Sequence, residues 1–283
     1  MTSDTTALVT DHLRTHDFEW YAALQFAPAS KRPALMALFA YLAEIARVRS
    51  LVSDPMPGEI RLQWWRDTLS GTAHGAVEAN PLAADLLQAM ETHAMPAAPL
   101  LAVLDARTFD LYDDAMPSTS DFEGYAGEAW SGPMSLAASV LSSESPARFA
   151  DVAGHGGVAL GVARALVTFS RWAGRGQCFL PVDLMQAHAL ERDMFAQRRV
   201  TPPLTAALRA FASYGLNHLD KARTAAFDCP GSAKAVWLPL ALTRQTLHDT
   251  TSWSLNPFVR QLTRPKWQKL LRLWRASKRT PVF

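Results

Sequence analysis

Apolar residues recur at intervals of three and four along most of this chain, and this spacing constrains the fold more than any other feature. In the segment 35–48 the apolar positions are Leu35, Leu38, Phe39, Leu42, Ile45 and Val48. Such spacing places them on one face of an α-helix, and that face must be buried. Similar patterns predict helices over 58–71, 82–93, 98–112, 121–142, 147–172, 203–227 and 232–247. No segment shows sustained alternation of apolar and polar residues, so the sequence predicts few or no strands.

The predicted helices are separated by short breaks rather than by linkers. The breaks carry turn residues, as at 55–58, 80–81, 202–203 and 229–231. Hydrophobic residues make up 49% of the chain and charged residues 19%, which favours a folded protein with a large core over disorder. There is no internal repeat and no low-complexity tract. We therefore expect residues 1–283 to form a single all-α domain of about eight to ten helices.

Several classes of function lack their usual signals in this sequence. It has no nucleophile elbow, phosphate-binding loop, zinc-protease motif or Rossmann glycine pattern. Its two cysteines, Cys178 and Cys229, are too few for a disulfide scaffold and fit a reducing compartment. The first residues lack the charge and apolar run of a signal peptide, and the apolar run 156–169 is too short to span a membrane. We expect a cytoplasmic protein without a cofactor.

One acidic cluster is a candidate metal site. Asp110, Asp113 and Asp114 lie at the end of the predicted helix 98–112, and residues four apart share a helix face. Carboxylates on one face could hold a single Mg²⁺ ion. The alternative, which we favour, is a solvated end of the helix.

Motifs at several points, in the same order and spacing, resemble the squalene/phytoene synthase family. They are 37–41 (ALFAY), 61–66 (RLQWWR), 109–111 (FDL) and 175–181 (RGQCFLP). The resemblance covers about residues 15–250. It implies an isoprenoid-synthase-type helical bundle around a deep apolar pocket.

The resemblance also implies two Asp-rich motifs that face each other and hold Mg²⁺ against a prenyl diphosphate. In this chain they fall on 46–50 and 168–172, where the degenerate positions are Ala46, Arg47, Ser50, Thr168 and Trp172. Mg²⁺ prefers anionic oxygen ligands, and guanidinium groups repel it. We therefore predict no catalytic residues and no metal site. An arginine could still bind a diphosphate directly, so a prenyl diphosphate or lipid in the pocket stays a weaker expectation.

A divergent branch of this family lacks these aspartates, and the segments 44–53 and 61–65 resemble that branch. It includes a mitochondrial assembly factor for respiratory complex I. The resemblance implies a non-catalytic role in assembling NADH:quinone oxidoreductase, with complex I subunits or assembly intermediates as partners. The alternative is an active, Mg²⁺-dependent prenyltransferase that uses Asp110, Asp113 and Asp114.

The C-terminal segment differs in charge from the rest of the chain. Residues 256–283 hold eight of the 28 basic residues and none of the 26 acidic ones, which leaves 20 basic and 26 acidic residues, a net charge of −6, before them. We expect residues 265–279 to form a basic amphipathic helix. The candidate surface consists of Lys266, Trp267, Lys269, Leu270, Leu271, Arg272, Trp274 and Arg275.

This composition is typical of a helix that lies on an anionic membrane or binds a partner. The protein would then be peripheral on the inner face of the cytoplasmic membrane. In the alternative, the Trp/Leu stripe docks on the body and the basic side is solvated. Nucleic acid is not expected as a partner, because the basic charge is confined to one short end.

Overall fold

The computed structural model describes residues 3–173, 177–191, 194, 198–251, 256–258 and 262–283, and it is built from helices. In chain order these are α1 (Ser3–His16), α2 (Phe18–Leu24), α3 (Arg32–Leu51), α4 (Pro55–Ser70), α5 (Pro81–His93), α6 (Ala98–Thr108), α7 (Thr119–Ala126), α8 (Gly132–Ser142), α9 (Ala150–Ala173), α10 (Val182–Ala187), α11 (Pro202–Ala225), α12 (Lys234–Trp237), α13 (Pro239–Thr251) and α14 (Lys266–Ser277). Within these ranges the only β-type pairing is an isolated bridge between Ala115 and Cys178. The all-α prediction is confirmed.

The helix boundaries differ from the prediction where backbone geometry changes locally. The predicted helix 121–142 is one helical run, but a π-helical turn, Gly127–Ser131, separates α7 from α8. The predicted helix 98–112 ends at Thr108 and continues only as a 3₁₀ turn, Phe109–Leu111. Such turns reorient side chains, and both lie beside the cavity described below.

The central element is α9, which packs against α11, α13 and the π-helical turn. Two glycines allow this close approach. A Cβ atom on Gly157 would lie 2.1 Å from Ser131 Oγ, and one on Gly161 would lie 2.7 Å from the ring of Trp130. The glycines therefore bring the π-helical turn, and Trp130 with it, directly against α9.

The stretch Pro146–Ala173, which contains α9, is long and apolar enough to cross a membrane by length and composition. It has 28 residues, and is thus longer than the apolar run 156–169. However, 67% of its most apolar window is buried inside the bundle. The core helices of soluble proteins can be as long and as apolar as this stretch.

Candidate functional site

A cavity of about 390 Å³, the central cavity, lies between α3 and α9. Its wall includes all of the degenerate positions, namely Ala46, Arg47, Ser50, Thr168 and Trp172. The expectation that the two segments face each other across one cavity is confirmed. The family resemblance implies this arrangement, and helical spacing is consistent with it because residues four apart, such as Ala46 and Ser50, share a face.

The chemical character of the cavity differs from the apolar pocket that we expected. Its wall carries five arginines and two carboxylates: Arg47, Arg49, Arg107, Arg164, Arg171, Asp17 and Asp110. Charged groups can line a buried space only when they are paired, hydrogen-bonded or open to water. The contacts of each arginine therefore decide what the cavity can bind.

Arg49 lies at the end of the cavity where α3 and α9 terminate. Its Nη1 donates to the Val52 carbonyl oxygen at 3.3 Å, and its Nη2 donates to Asp113 Oδ1 at 3.3 Å. Its guanidinium lies 5.8 Å from the ring centroid of Trp172, within cation–π range. Trp172 therefore occupies this end of the cavity. Arg49 Nε is buried and has no hydrogen-bond partner among the described residues.

Arg107, Asp110 and Tyr125 form a buried triangle on the wall. Arg107 Nη1 lies 3.0 Å from Asp110 Oδ2 and 2.7 Å from the Tyr125 hydroxyl, which donates to Asp110 Oδ1 at 2.7 Å. Burial raises the pKa of the Asp110 carboxyl, although Arg107 and Tyr125 oppose that shift. Gln177 lies beside this triangle, and its Nε2 donates to the backbone carbonyl oxygen of Asp110 at 2.9 Å.

The candidate metal site at Asp110, Asp113 and Asp114 does not form, and the solvated helix end that we favoured is wrong for Asp110, which is buried. Because α6 ends at Thr108, Asp113 and Asp114 follow in non-helical backbone, and the three carboxylates share no face. Asp110 is buried, whereas Asp114 is exposed and Asp113 pairs with Arg49. Within the described ranges, no group of three or more His, Cys, Asp or Glu side chains could hold a metal ion. This donor set does not fit Mg²⁺.

Arg164 connects the central cavity to the C-terminal helix. Its Nη2 lies 3.0 Å from both carboxylate oxygens of Asp17 and 3.3 Å from Glu19 Oε2. Glu19 Oε1 in turn lies 2.8 Å from Lys269 Nζ on α14. Burial alone would raise the pKa of Glu19, but Arg164 and Lys269 outweigh it and hold that pKa below its usual value.

The C-terminal helix exposes its apolar stripe. Trp267 is 63% exposed, Trp274 53%, Leu270 46% and Leu271 39%. The residues of α14 that are buried are instead Leu273 and Ala276. The alternative in which the Trp/Leu stripe docks on the body is therefore wrong.

Two basic residues of the predicted surface also face the body. Lys269 pairs with Glu19, and Arg272 donates from Nε to the Ala241 carbonyl oxygen at 2.9 Å. Our assignment of Lys269 and Arg272 to the exposed surface is thus corrected. Lys266 and Arg275 are exposed, so they remain beside the apolar stripe.

The chain belongs to the squalene/phytoene synthase family, since the model of that family matches residues 13–270. Two solved structures share the fold. The squalene synthase HpnC from Alicyclobacillus acidocaldarius has a TM-score of 0.72 and 17% identity, over 87% of this chain and 92% of that one. A dehydrosqualene synthase solved with a ligand has a TM-score of 0.74 and 17% identity, over 97% of both chains. The isoprenoid-synthase-type bundle is thereby confirmed.

Curated relatives are more similar to this chain in sequence than these two synthases are, and they are named as assembly factors rather than as synthases. This chain is 28% identical over 221 residues to the human protein named NADH dehydrogenase (ubiquinone) complex I, assembly factor 6. The match covers 76% of this chain and 66% of the human protein. The rat protein of the same name is 29% identical over 227 residues, which are 80% of this chain and 68% of that protein. This chain thus spans about two thirds of these relatives.

Proposed function

We propose that this protein is a non-catalytic member of its family that acts in the assembly of respiratory complex I, NADH:quinone oxidoreductase. The names of its curated relatives support the assembly role. The observation that carries the non-catalytic part is the wall of the central cavity. Ala46, Ser50, Thr168 and Trp172 stand where the family resemblance implies metal-binding carboxylates.

The remaining carboxylates of the cavity do not replace those ligands. Asp110 already binds Arg107 and Tyr125, and Asp17 already binds Arg164. Mg²⁺ prefers a near-octahedral set of oxygen ligands and repels nearby guanidinium groups. Among the described residues of the cavity wall, no set of ligands supports ionisation of a diphosphate through a metal ion.

Deletion of the gene tests the assembly role. Native gel electrophoresis of membranes would measure the amount of assembled NADH:quinone oxidoreductase, with succinate dehydrogenase as the control complex. We expect a selective loss of the assembled enzyme that the wild-type gene restores. Normal assembly in the deletion strain would refute the proposal.

We also propose that the protein works at the inner face of the cytoplasmic membrane, held there by α14. The exposed Trp/Leu stripe has Lys266 and Arg275 beside it, and Lys278 is exposed at the end of the helix. Helices with tryptophan and leucine on one side and basic residues at the flanks lie in the interface of anionic membranes. A membrane position would place the protein beside a membrane-bound target.

The alternative function is Mg²⁺-dependent prenyl transfer. The family and the fold, which are shared with squalene and dehydrosqualene synthases, favour it. It differs from the proposed role in requiring release of diphosphate, and that release can be measured directly.

A further inference from the structure

Three arginines form a row along one flank of α14. Arg272, Arg275 and Arg279 follow one another at steps of three and four residues, and the backbone N–H of Arg279 donates to the Ala276 carbonyl oxygen at 2.9 Å, which continues the helical turn. This arginine row therefore lies on one side of the helix. None of its three members forms an ion pair with a described residue. Like charges at this spacing repel one another, and an anion bound beside the row would relieve that repulsion.

Arg272 joins the arginine row to α13. Its side chain is half-buried, and its only hydrogen bond to a described residue runs from Nε to the Ala241 carbonyl oxygen, so Nη1 and Nη2 stay available as donors. Burial lowers the pKa of the Arg272 guanidinium below its usual value. The positive charges of Arg264 and Arg279 add to that shift, although Asp249 opposes it. Basic charge is thus concentrated where α13 and α14 meet.

A small cavity of about 110 Å³, the α14 cavity, lies beside the arginine row between α9, α13 and α14. Its lining residues include only Arg164 from the wall of the central cavity. Gln245 and Gln268 line it with half-buried carboxamides that form no hydrogen bond to a described residue. Gln268 lies four residues before Arg272 and hence on the same side of α14. Because a carboxamide both donates and accepts hydrogen bonds, this pair suits a ligand with hydroxyl groups.

The three surfaces follow one another around α14. At about 100° per residue, the arginine row lies about 120° from the Trp/Leu stripe, and the residues that contact the body lie about 100° further round. A helix in a membrane interface buries its apolar side at the boundary of the acyl chains. The arginine row then lies at the level of the phosphates, and the α14 cavity lies on the side of the body, away from the bilayer. Acyl chains, phosphate and headgroup follow one another in the same order in a phospholipid.

We propose that the arginine row and the α14 cavity form a site for one anionic phospholipid with a hydroxylated headgroup. The arginines bind the phosphodiester through charge-assisted hydrogen bonds. Gln245 and Gln268 bind the headgroup hydroxyls, and the acyl chains lie along the Trp/Leu stripe. The inference deepens the proposed membrane position of α14 and rests on it, because it assigns that helix a particular class of lipid rather than any negatively charged surface.

A purely structural or electrostatic role for the arginine row makes different predictions. The helix macrodipole favours any cation in the last turn of a helix. Attraction to an anionic surface depends on the number of basic groups, and lysine serves as well as arginine. The planar guanidinium, by contrast, binds a phosphodiester through two parallel hydrogen bonds that lysine cannot reproduce. Replacement of arginine by lysine therefore distinguishes a lipid site from general attraction.

Titration calorimetry of the full-length chain with short-chain lipids, each below its micelle concentration, tests the site directly. The probes are the dihexanoyl forms of phosphatidylglycerol, phosphatidylmethanol and phosphatidylcholine, together with glycerol 1-phosphate. Phosphatidylmethanol keeps the anionic phosphodiester but lacks the headgroup hydroxyls, and glycerol phosphate lacks the acyl chains. We expect phosphatidylglycerol to bind about tenfold more tightly than phosphatidylcholine or glycerol phosphate, and about fivefold more tightly than phosphatidylmethanol.

A charge-conserving variant tests the arginine row. Arg275→Lys, Arg279→Lys should weaken binding of the phosphatidylglycerol probe about tenfold, although the net charge is unchanged. Both side chains are exposed, so the substitutions leave the packing of α14 intact. Arg14→Lys, Arg223→Lys changes two exposed arginines of α1 and α11 and is the matched control, which should bind like the wild type.

A second variant tests the α14 cavity. Gln245→Met, Gln268→Met keeps the length of both side chains but removes their hydrogen-bonding groups. It should lower the affinity for phosphatidylglycerol to that for phosphatidylmethanol and leave the affinity for phosphatidylmethanol unchanged. A variant that only loosened the fold would weaken both lipids alike.

The proposal is overturned by equal affinity for the phosphatidylglycerol and phosphatidylcholine probes, or by wild-type affinity in Arg275→Lys, Arg279→Lys. Failure of the proposed membrane position looks different. Binding of the soluble probes in the expected pattern, without sedimentation on phosphatidylglycerol vesicles, would refute the membrane position and leave the lipid site standing. Sedimentation on these vesicles without discrimination among the soluble probes would refute the lipid site and leave the membrane position standing.

Discussion

His218 on α11 is a buried titratable residue outside the central cavity. Its Nδ1 lies 3.1 Å from Nδ1 of His155, and its Nε2 lies 3.5 Å from Glu123 Oε1. Burial, with smaller contributions from His155 and Lys221, lowers the pKa of His218 below its ordinary value of 6.5, although Glu123 opposes the shift. The imidazole of His218 is therefore protonated less readily in the folded protein than in the unfolded chain.

This difference predicts how stability depends on pH. A histidine whose pKa is lowered by folding contributes to stability above its unfolded-state pKa. That contribution is lost as the pH falls through the folded-state pKa. The free energy of unfolding should thus decrease between about pH 7 and about pH 5. Urea unfolding of His218→Asn should show a shallower decrease than the wild type. An identical pH dependence in the two proteins would contradict this assignment.

Single residues on the cavity wall show where prediction from sequence succeeds. Ala46, Arg47 and Thr168 lie on the cavity wall, as the family resemblance implies, and each belongs to a helix whose periodicity is visible in the sequence. The pairing of Arg164 with Asp17 joins residues 147 positions apart, and no local pattern indicates it. The only hint was the position of Arg164 inside the apolar run 156–169.

At the level of elements, α9 depends on glycine where it meets the π-helical turn. In Gly157→Ala the new methyl group would lie 2.1 Å from Ser131 Oγ and 2.8 Å from the Ser131 backbone nitrogen. Because backbone cannot move aside easily, we expect a loss of about 1–3 kcal/mol in the free energy of unfolding.

Gly154→Ala is the matched control on the same helix. A Cβ at Gly154 meets nothing within 4 Å, so the helix propensity of alanine should stabilise the protein by about 0.5–1 kcal/mol. Chemical denaturation measures both changes. Equal effects of the two substitutions would show that contact with Ser131 does not determine the need for glycine.

The exposed stripe of α14 gives a second prediction at this level. Trp267→Ala together with Trp274→Ala should strongly reduce sedimentation with vesicles that contain anionic lipid, without lowering the melting temperature, since both rings are largely exposed. Phe227→Ala removes an equally exposed ring elsewhere and is the control. Undiminished sedimentation of the double variant would exclude this surface as the membrane contact.

Charge reversal at Lys266 and Arg275 provides a separate test of the electrostatic contribution. Each basic group near an anionic surface is worth about 1 kcal/mol, so the Lys266→Glu, Arg275→Glu variant should bind more weakly and with less dependence on salt. Lys269 and Arg272 are left unchanged because they hold α14 on the body. Equal binding of wild type and variant would rule out electrostatic attachment.

The whole molecule combines a synthase fold with a cavity that lacks a metal-ligand set among its described residues. We therefore expect no Mg²⁺-dependent release of diphosphate from farnesyl or geranylgeranyl diphosphate. A pyrophosphate-coupled assay measures this, with an active family synthase as the positive control. Turnover that requires Mg²⁺ and disappears in Asp110→Asn would contradict the non-catalytic role.

The sequence by itself determined the helical class and most helix positions. These properties follow from a local repeat, because a helix buries whichever side carries its apolar residues. That the segments 46–50 and 168–172 face each other was implied by the family resemblance. Only the tertiary structure decided that the cavity is cationic, that Asp110 is engaged by Arg107, and that α14 turns its tryptophans outward. Each depends on which distant groups come within a few ångströms. On α14, Leu273 and Ala276 compete with the Trp/Leu stripe for burial, and Glu19 and the Ala241 carbonyl bind Lys269 and Arg272.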